Sequence, residues 1–289
     1  MKASELVMAP DGTLYHIRLD ADRLADKVIL VGDPQRVPMF RHIFDSIEFE
    51  SSNREINVLT GSYHGTRLTA LSTGMGCDNI DIVMTELDAA LHVQAGQWHD
   101  CTSRHLDIVR VGTCGSLQAD VDCGSHVASA YAIGLDGLMN YYREWQPALP
   151  DMEAALLSHL QLDSRLARPY CVAASAQLLQ QVAPTMHHAI TATAPGFYGP
   201  QGRTVHLHPT IPDLNERLAA FAWNGTKVTN LEMETSAIYG FSHLLGHEAL
   251  TACLVIANRI QGTFLNDYHD AMRSLLATVV EGLGTSERR

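Results

Sequence analysis

Short apolar runs, several closed by glycine turns, alternate with stretches whose apolar residues recur every three or four positions. Residues 27–31 (KVILV), 106–111 (LDIVRV) and 250–257 (LTACLVIA) are of the first kind, the pattern of strands buried on both faces of a parallel sheet. Ile80, Val83, Met84, Leu87 and Leu91 are of the second, so residues 79–93 form an amphipathic helix whose apolar stripe is core. Residues 152–162, 235–245 and 270–283 read as further helices, with Gly246 ending the second of them. Residues 57–71 alternate as two strands about a turn at His64 and Gly65, and 121–133, 170–174, 188–192 and 228–234 supply more strands. Residues 94–105 read as a surface loop, and 140–150, with Pro147 and Pro150, as an exposed excursion. Strands and helices alternating in this way predict an α/β layered fold with a mostly parallel or mixed sheet.

The polar exceptions to this pattern carry the chemistry. Arg110 stands inside an otherwise apolar strand, where a guanidinium needs either a buried carboxylate or a bound anion. Gly112-Thr113-Cys114-Gly115 follows it and reads as a glycine turn past the strand end, with amides and a hydroxyl to offer an anion. Gly32-Asp33-Pro34-Gln35-Arg36 repeats the device after the first strand, with Arg36 either on the same anion or in solvent. Ser72-Thr73-Gly74-Met75-Gly76 makes a third such turn; Asn79 replaces the last glycine of a dinucleotide fingerprint, which sets the Rossmann reading aside. Open α/β sheets bind ligands at the carboxyl ends of their strands, where all three turns fall.

Two later stretches add to the list. Residues 194–203 form a Gly- and Pro-rich loop presenting Phe197, Gln201 and Arg203, a set able to stack on a planar ring and bond its polar edge, or else a packed surface loop. Glu232 and Glu234 share one face of a strand, which calls for hydroxyls or a cation between them; ribose would serve, as would Arg110, or one glutamate starts the next helix. His206 and His208 lack a third ligand at metal spacing and read as strand or surface histidines. Taken by itself, His16 reads as a surface histidine.

Charge narrows the partners. A formal net charge of −12 argues against nucleic acid and against an anionic membrane surface, so an anionic substrate has to be met by a local arginine cluster. No apolar run approaches a membrane span and the N-terminus has no signal-peptide h-region, which leads to the expectation of a cytoplasmic protein. The six cysteines are scattered, with no Cys-x-x-Cys pair, and read as reduced thiols. The 289 residues are read as one domain.

In this order, Gly32-Asp33-Pro34-x-Arg36, Ser72-Thr73-Gly74-Met75-Gly76, Arg110-Val111-Gly112-Thr113-Cys114-Gly115, Asn230-Leu231-Glu232-Met233-Glu234 and Ala257-Asn258-Arg259 resemble the nucleoside phosphorylase-I family. The Phe197…Gln201-x-Arg203 loop is similar to its uridine phosphorylase branch. The resemblance implies a central mixed β-sheet forming a distorted barrel surrounded by helices, and reversible phosphorolysis of a nucleoside to free base and ribose 1-phosphate. It implies phosphate at Gly32, Arg36, Arg110 and Thr113, joined by Arg54 of a neighbouring subunit. It implies ribose at Glu232, Met233 and Glu234 with the neighbour's His16 at the 5′-hydroxyl, and the base at Cys114, Gly115, Phe197, Gln201 and Arg203. Arg110, Thr113 and Glu234 are then the catalytic set, inorganic phosphate the co-substrate, and a homodimer or homohexamer the working unit. No metal is implied in the chemistry, although some relatives hold a monovalent cation at the subunit interface near the position of Glu55. Cys114 departs from the Thr or Ser of many relatives, which bears on the preferred base. A purine phosphorylase of the same fold, a nucleosidase using water, and a non-catalytic nucleoside-binding protein stay open as alternatives.

Overall fold

The computed structural model describes residues 2–94, 97–99 and 103–284. β1 (Lys27–Val31) is buried along its whole length, and 3₁₀ turns over Pro34–His42 follow it, begun by Pro34 and by the Asp33 carboxylate accepting the Gln35 amide. β2 (Ser46–Asn53), β3 (Ile56–Tyr63) and β4 (Thr66–Ser72) form an antiparallel meander, and α1 (Cys77–His92) covers it. β5 (Val93–Gln94) and β6 (Gln97–Trp98) pair antiparallel where a loop was expected, while Cys101 lies outside the described residues. Next come β7 (Asp107–Ser116), β8 (His126–Gly134), α2 (Pro150–Leu160), β9 (Tyr170–Ala173), α3 (Ala176–Val182) and β10 (His187–Thr193). The chain continues through α4 (Leu214–Ala220), β11 (Ala222–Trp223), β12 (Thr226–Glu232), α5 (Thr235–Leu245), β13 (Glu248–Asn258), β14 (Thr263–Phe264) and α6 (His269–Gly284).

Apart from the β5–β6 pair, the strands join in one mixed sheet in the order β11-β12-β10-β8-β13-β7-β1-β4-β3-β2, with β9 paired to β8 and β14 to β13. A further antiparallel pairing of β12 with β7, Leu231 opposite Gly115 and Asn230 opposite Ser116, closes β12, β10, β8, β13 and β7 into a five-stranded barrel. This is the distorted barrel that the family resemblance implied, here set within a larger sheet. Alternate residues of β1 show the layering: Val28 and Leu30 pack into the cluster under α1 and α5, Ile29 and Val31 into the one under α6. Both faces are therefore dry, which is why the central strands read as unbroken apolar runs.

Three expectations need correction. β7 does not end in a glycine turn but runs on through Gly112-Thr113-Cys114-Gly115 to Ser116, because β13 and then β12 pair with that half. β12 ends at Glu232, so Glu234 belongs to the entry of α5 rather than to the strand face. The segment 140–150 is largely exposed, as expected, and two rings anchor it: Tyr142 stands edge-on to Phe241, and Trp145 edge-on to Tyr170 and His243. The strand expected over 121–133 begins only at His126. Among the described residues no helix is long and apolar enough to cross a membrane.

Candidate active site

β7 is the floor of the site, and parallel neighbours hold it on both sides, with Leu30 of β1 and Thr251 of β13 in register with Arg110. Arg110 is only 4% exposed. Its guanidinium folds back over Gly112, where an added Cβ would stand 2.3 Å from Nη1. Glycine at 112 is thus required by close approach, not by a turn. Nη1 lies 3.1 Å from Glu232 Oε2 and donates to Cys253 Sγ at 3.4 Å, while Nη2 donates to Glu234. Burial works against the charge, but Glu234 and Glu232 more than offset it, and the group titrates above the ordinary guanidinium range. Both sequence readings of Arg110 therefore bear on it: it pairs with carboxylates, and its buried Nε has no partner among the described residues.

The two glutamates do different work. Glu232 Oε1 accepts the Thr193 hydroxyl at 2.6 Å, and its carboxylate accepts the amides of Glu234 at 2.9 Å and of Thr235 at 3.0 and 3.1 Å. Negative charge at a helix N-terminus is favourable, so Glu232 begins α5 while facing Arg110. Glu234 accepts the Gly76 amide on Oε1 at 2.6 Å and Arg110 on Oε2. This ties the Gly74-Met75-Gly76 turn to the site; Gly74 has φ +74°, and a Cβ there would lie 2.3 Å from Asn79 Nδ2. Burial pushes the Glu234 carboxyl up, Arg110 pulls it down and Glu232 pushes it up again, leaving it above the usual carboxylate value.

These groups line a cavity of about 900 Å³ at the carboxyl ends of the strands. Gly32, Arg36, Arg110 and Thr113 are in its wall, as are Glu232, Met233 and Glu234, and Cys114, Gly115, Phe197, Gln201 and Arg203. Arg36 is buried there, so its reading as a solvated arginine fails. In the loop after β10, Arg203 stacks on Phe197 with its guanidinium carbon 3.8 Å from the ring centre. Its Nη1 donates to the Phe197 carbonyl at 2.6 Å and to Gln201 Oε1 at 2.7 Å. Burial and then the charge of Arg259 pull Arg203 down to about 10, which leaves it cationic near neutrality. Gln201 is buried, and with Oε1 occupied its amide nitrogen is the part left to donate.

His16 and Arg54 do not line this cavity. They border a small recess with Asn53, Glu55 and Asn79, of which Glu55 and Asn79 also belong to the cavity wall. Arg54 takes φ +56° at the turn between β2 and β3, a conformation that costs a non-glycine residue roughly 1 kcal/mol or more. His16 is half-buried and held by Glu86, so it is not the unconstrained surface histidine expected from its local sequence. His206 and His208 are exposed, and among the described residues no group of three or more His, Cys, Asp or Glu side chains is placed to hold a metal ion.

Several lining residues were not nominated from the sequence. Arg259 donates through Nη1 to the Gln201 carbonyl at 3.1 Å, and Phe264 joins the wall from β14. Arg259 stands at the end of an apolar run, the same signal that drew attention to Arg36. Cys253 and Thr193 do not line the cavity but support its residues; they look like ordinary strand residues, and only strand pairing brings them to Arg110 and Glu232.

The likeness to known proteins matches this geometry. A family model described as the phosphorylase superfamily matches residues 26–281. The uridine phosphorylase of Thermococcus kodakarensis is 29% identical over 269 residues, 91% of this chain and 83% of its own. The guanosine phosphorylase of Halorubrum lacusprofundi is 26% identical over 248 residues, 86% of this chain and 84% of its own. A Trypanosoma brucei nucleoside phosphorylase, whose structure is described as showing uridine phosphorylase activity, superposes with a TM-score of 0.88 at 33% identity, covering 97% of this chain and 100% of that one.

Proposed function

Since the chain belongs to the phosphorylase superfamily, we propose that it is a nucleoside phosphorylase that cleaves uridine with inorganic phosphate. The observation that carries this reading is the single cavity in which a buried arginine with an open N–H and a second buried arginine meet a ring-stacking loop tipped by an amide and a guanidinium. We assign phosphate to Gly32, Arg36, Arg110 and Thr113, ribose to Met233 and Glu234 with Glu232 behind them, and the pyrimidine to Phe197, Gln201 and Arg203 beside Cys114 and Gly115. His16 and Arg54 lie outside their own cavity, which supports their delivery to the site of a neighbouring copy in a homodimer or homohexamer.

The chemistry follows from those placements. A phosphate oxygen forms a bond to ribose C1′ as the C1′–N1 bond breaks, and the bonding pair leaves with the base. Phosphate is a weak nucleophile, so positioning and electrostatics have to lower the barrier. Arg36 and the open Nε–H of Arg110 hold phosphate by charge-assisted hydrogen bonds and set it against the cationic sugar carbon. Negative charge growing on the uracil carbonyls meets the Gln201 amide N–H and the cationic Arg203, and the product anion then takes its proton from water. No step of this assignment requires a metal.

Release of free base from uridine and from inosine, each with and without phosphate, tests the reading. Phosphate-dependent release of uracil is the expected result, and Arg203→Ala should reduce it by about a hundredfold or more. Hypoxanthine release with uridine inert would transfer the assignment to a purine phosphorylase. Release without phosphate would make the protein a nucleosidase, and no release from either would make it a binding protein.

A further inference from the structure

Glu86 is a polar residue on the inward side of α1, 5% exposed. Ile80, Val83, Met84 and Leu87 of the same helix are fully buried apolar residues. A carboxylate in such a place is costly unless several donors meet it. Among the described residues its hydrogen bonds run to two consecutive residues, His16 and Ile17. Oε2 accepts the His16 amide at 2.9 Å and the Ile17 amide at 3.0 Å, and Oε1 lies 2.5 Å from His16 Nδ1. From the other side, Asn53 Nδ2 donates to the carbonyls of Tyr15 at 3.0 Å and His16 at 3.1 Å. The Tyr15 ring stands edge-on to the imidazole with 4.9 Å between centres. The backbone, the ring plane and one ring nitrogen of His16 are therefore all fixed, although the ring borders only the recess shared with Arg54.

We propose that Glu86 is a positioning residue for the nucleoside reaction: it fixes His16 as the Nδ1–H tautomer, so that Nε2 presents a lone pair to the 5′-hydroxyl of a nucleoside bound in a neighbouring copy. This rests on the functional reading above, in which His16 is supplied across an interface. An ionised carboxylate can only accept, so the shared proton belongs to Nδ1, and the neutral ring must then accept at Nε2. The 5′-hydroxyl takes no part in bond making or breaking. Its contact with a ring held in advance supplies remote binding energy that helps to orient C1′.

The test compares uridine with 5′-deoxyuridine in the full-length protein, wild type, E86Q and H16A. E86Q keeps the shape and an acceptor for the two amides, but its NH₂ group can donate to Nδ1 and reverse the tautomer. E86Q is expected to lower kcat/KM for uridine about tenfold and to leave 5′-deoxyuridine within about twofold. H16A should show the same selectivity, and H16A/E86Q should fall no further than H16A. Nitrogen-15 shifts of labelled histidine, with the His16 signals assigned by their loss in H16A, should show Nδ1 protonated and Nε2 unprotonated in the wild type, and the reverse in E86Q. Equal losses on both nucleosides would make Glu86 merely structural, and a wild-type ring protonated at Nε2 would overturn the proposal. If H16A itself fails to separate the two nucleosides, the placement of His16 at the 5′-hydroxyl fails, and the role of Glu86 fails with it. If neither nucleoside is turned over, the functional reading fails, while the nitrogen shifts still decide the tautomer.

Discussion

Glu234 touches both Arg110 and the Gly76 amide, and its carboxyl is held above the usual 4.5 chiefly by burial. On the assignment above it accepts ribose hydroxyls, which it can do on both oxygens only when ionised. The protonated form therefore persists to higher pH than in a free glutamate, and kcat/KM should fall about tenfold per pH unit on the acid side of a midpoint above 4.5. A pH profile on uridine, with Glu234→Gln as the control that loses this limb, checks the assignment; a midpoint at or below 4.5 would show that Arg110 outweighs burial. Stability moves in the same sense as the proton. The native state holds this proton more tightly than the unfolded chain, so the group's contribution is present below 4.5 and declines as pH rises through the native value. Removing the carboxylate altogether is a different change. It would leave Arg110 buried with Glu232 as its remaining carboxylate, so the cost should stay below the roughly 3–5 kcal/mol of a buried charge left with none.

Among the elements, β7 decides most. Because it continues as strand through Gly112, the Arg110 side chain can lie along its own strand over the missing Cβ. Gly112→Ala should leave secondary structure unchanged by circular dichroism yet raise the KM for phosphate by about tenfold or more, since its methyl takes the space of the guanidinium. Unaltered phosphate kinetics in this variant would mean that Arg110 is placed differently when phosphate is bound. The apolar runs of β1, β7 and β13 and the stripe of α1 were legible in the sequence because both faces of the sheet and one face of the helix are buried. β2 was not, since SIEFESSN lies at the sheet edge largely in solvent, and α3 and α4 are seven residues each, too short to show a period. The chemistry-bearing residues were legible as departures from the apolar pattern. Their partnerships were not: Glu234 reaches Arg110 across 124 positions of chain, and Glu86 reaches His16 across 70. Local spacing carries no record of such contacts.

At the scale of the whole molecule, His16 and Arg54 border a recess that shares Glu55 and Asn79 with the cavity but do not line the cavity itself, and the proposed assignment delivers them to a neighbouring copy. A shared site makes a sharp prediction for hybrids. Arg54→Ala and Arg203→Ala chains should each be nearly inactive alone, the first lacking a phosphate contact in both sites and the second a base contact. Co-expressed at equal levels as a dimer, half of the assemblies pair one chain of each kind and hold one intact site of two, so activity should return to about a quarter of wild type. A mixture no more active than its parts would place each Arg54 in the site of its own chain.

The floor and the rim of the cavity are built differently. β7 is bonded on both edges nearly from end to end, to β1 and β13 and then to β12, whereas the loop carrying Phe197, Gln201 and Arg203 projects beyond β10 and is held by its own side chains, Arg259 and Asn215. Altered residues in the floor disturb β7 and the three strands bonded to it, while altered residues in the loop disturb little beyond it. Diversification is therefore expected to accumulate in what the protein recognises and to spare the anion-gripping step, a division of labour in keeping with one architecture being shared by relatives named for uridine and for guanosine.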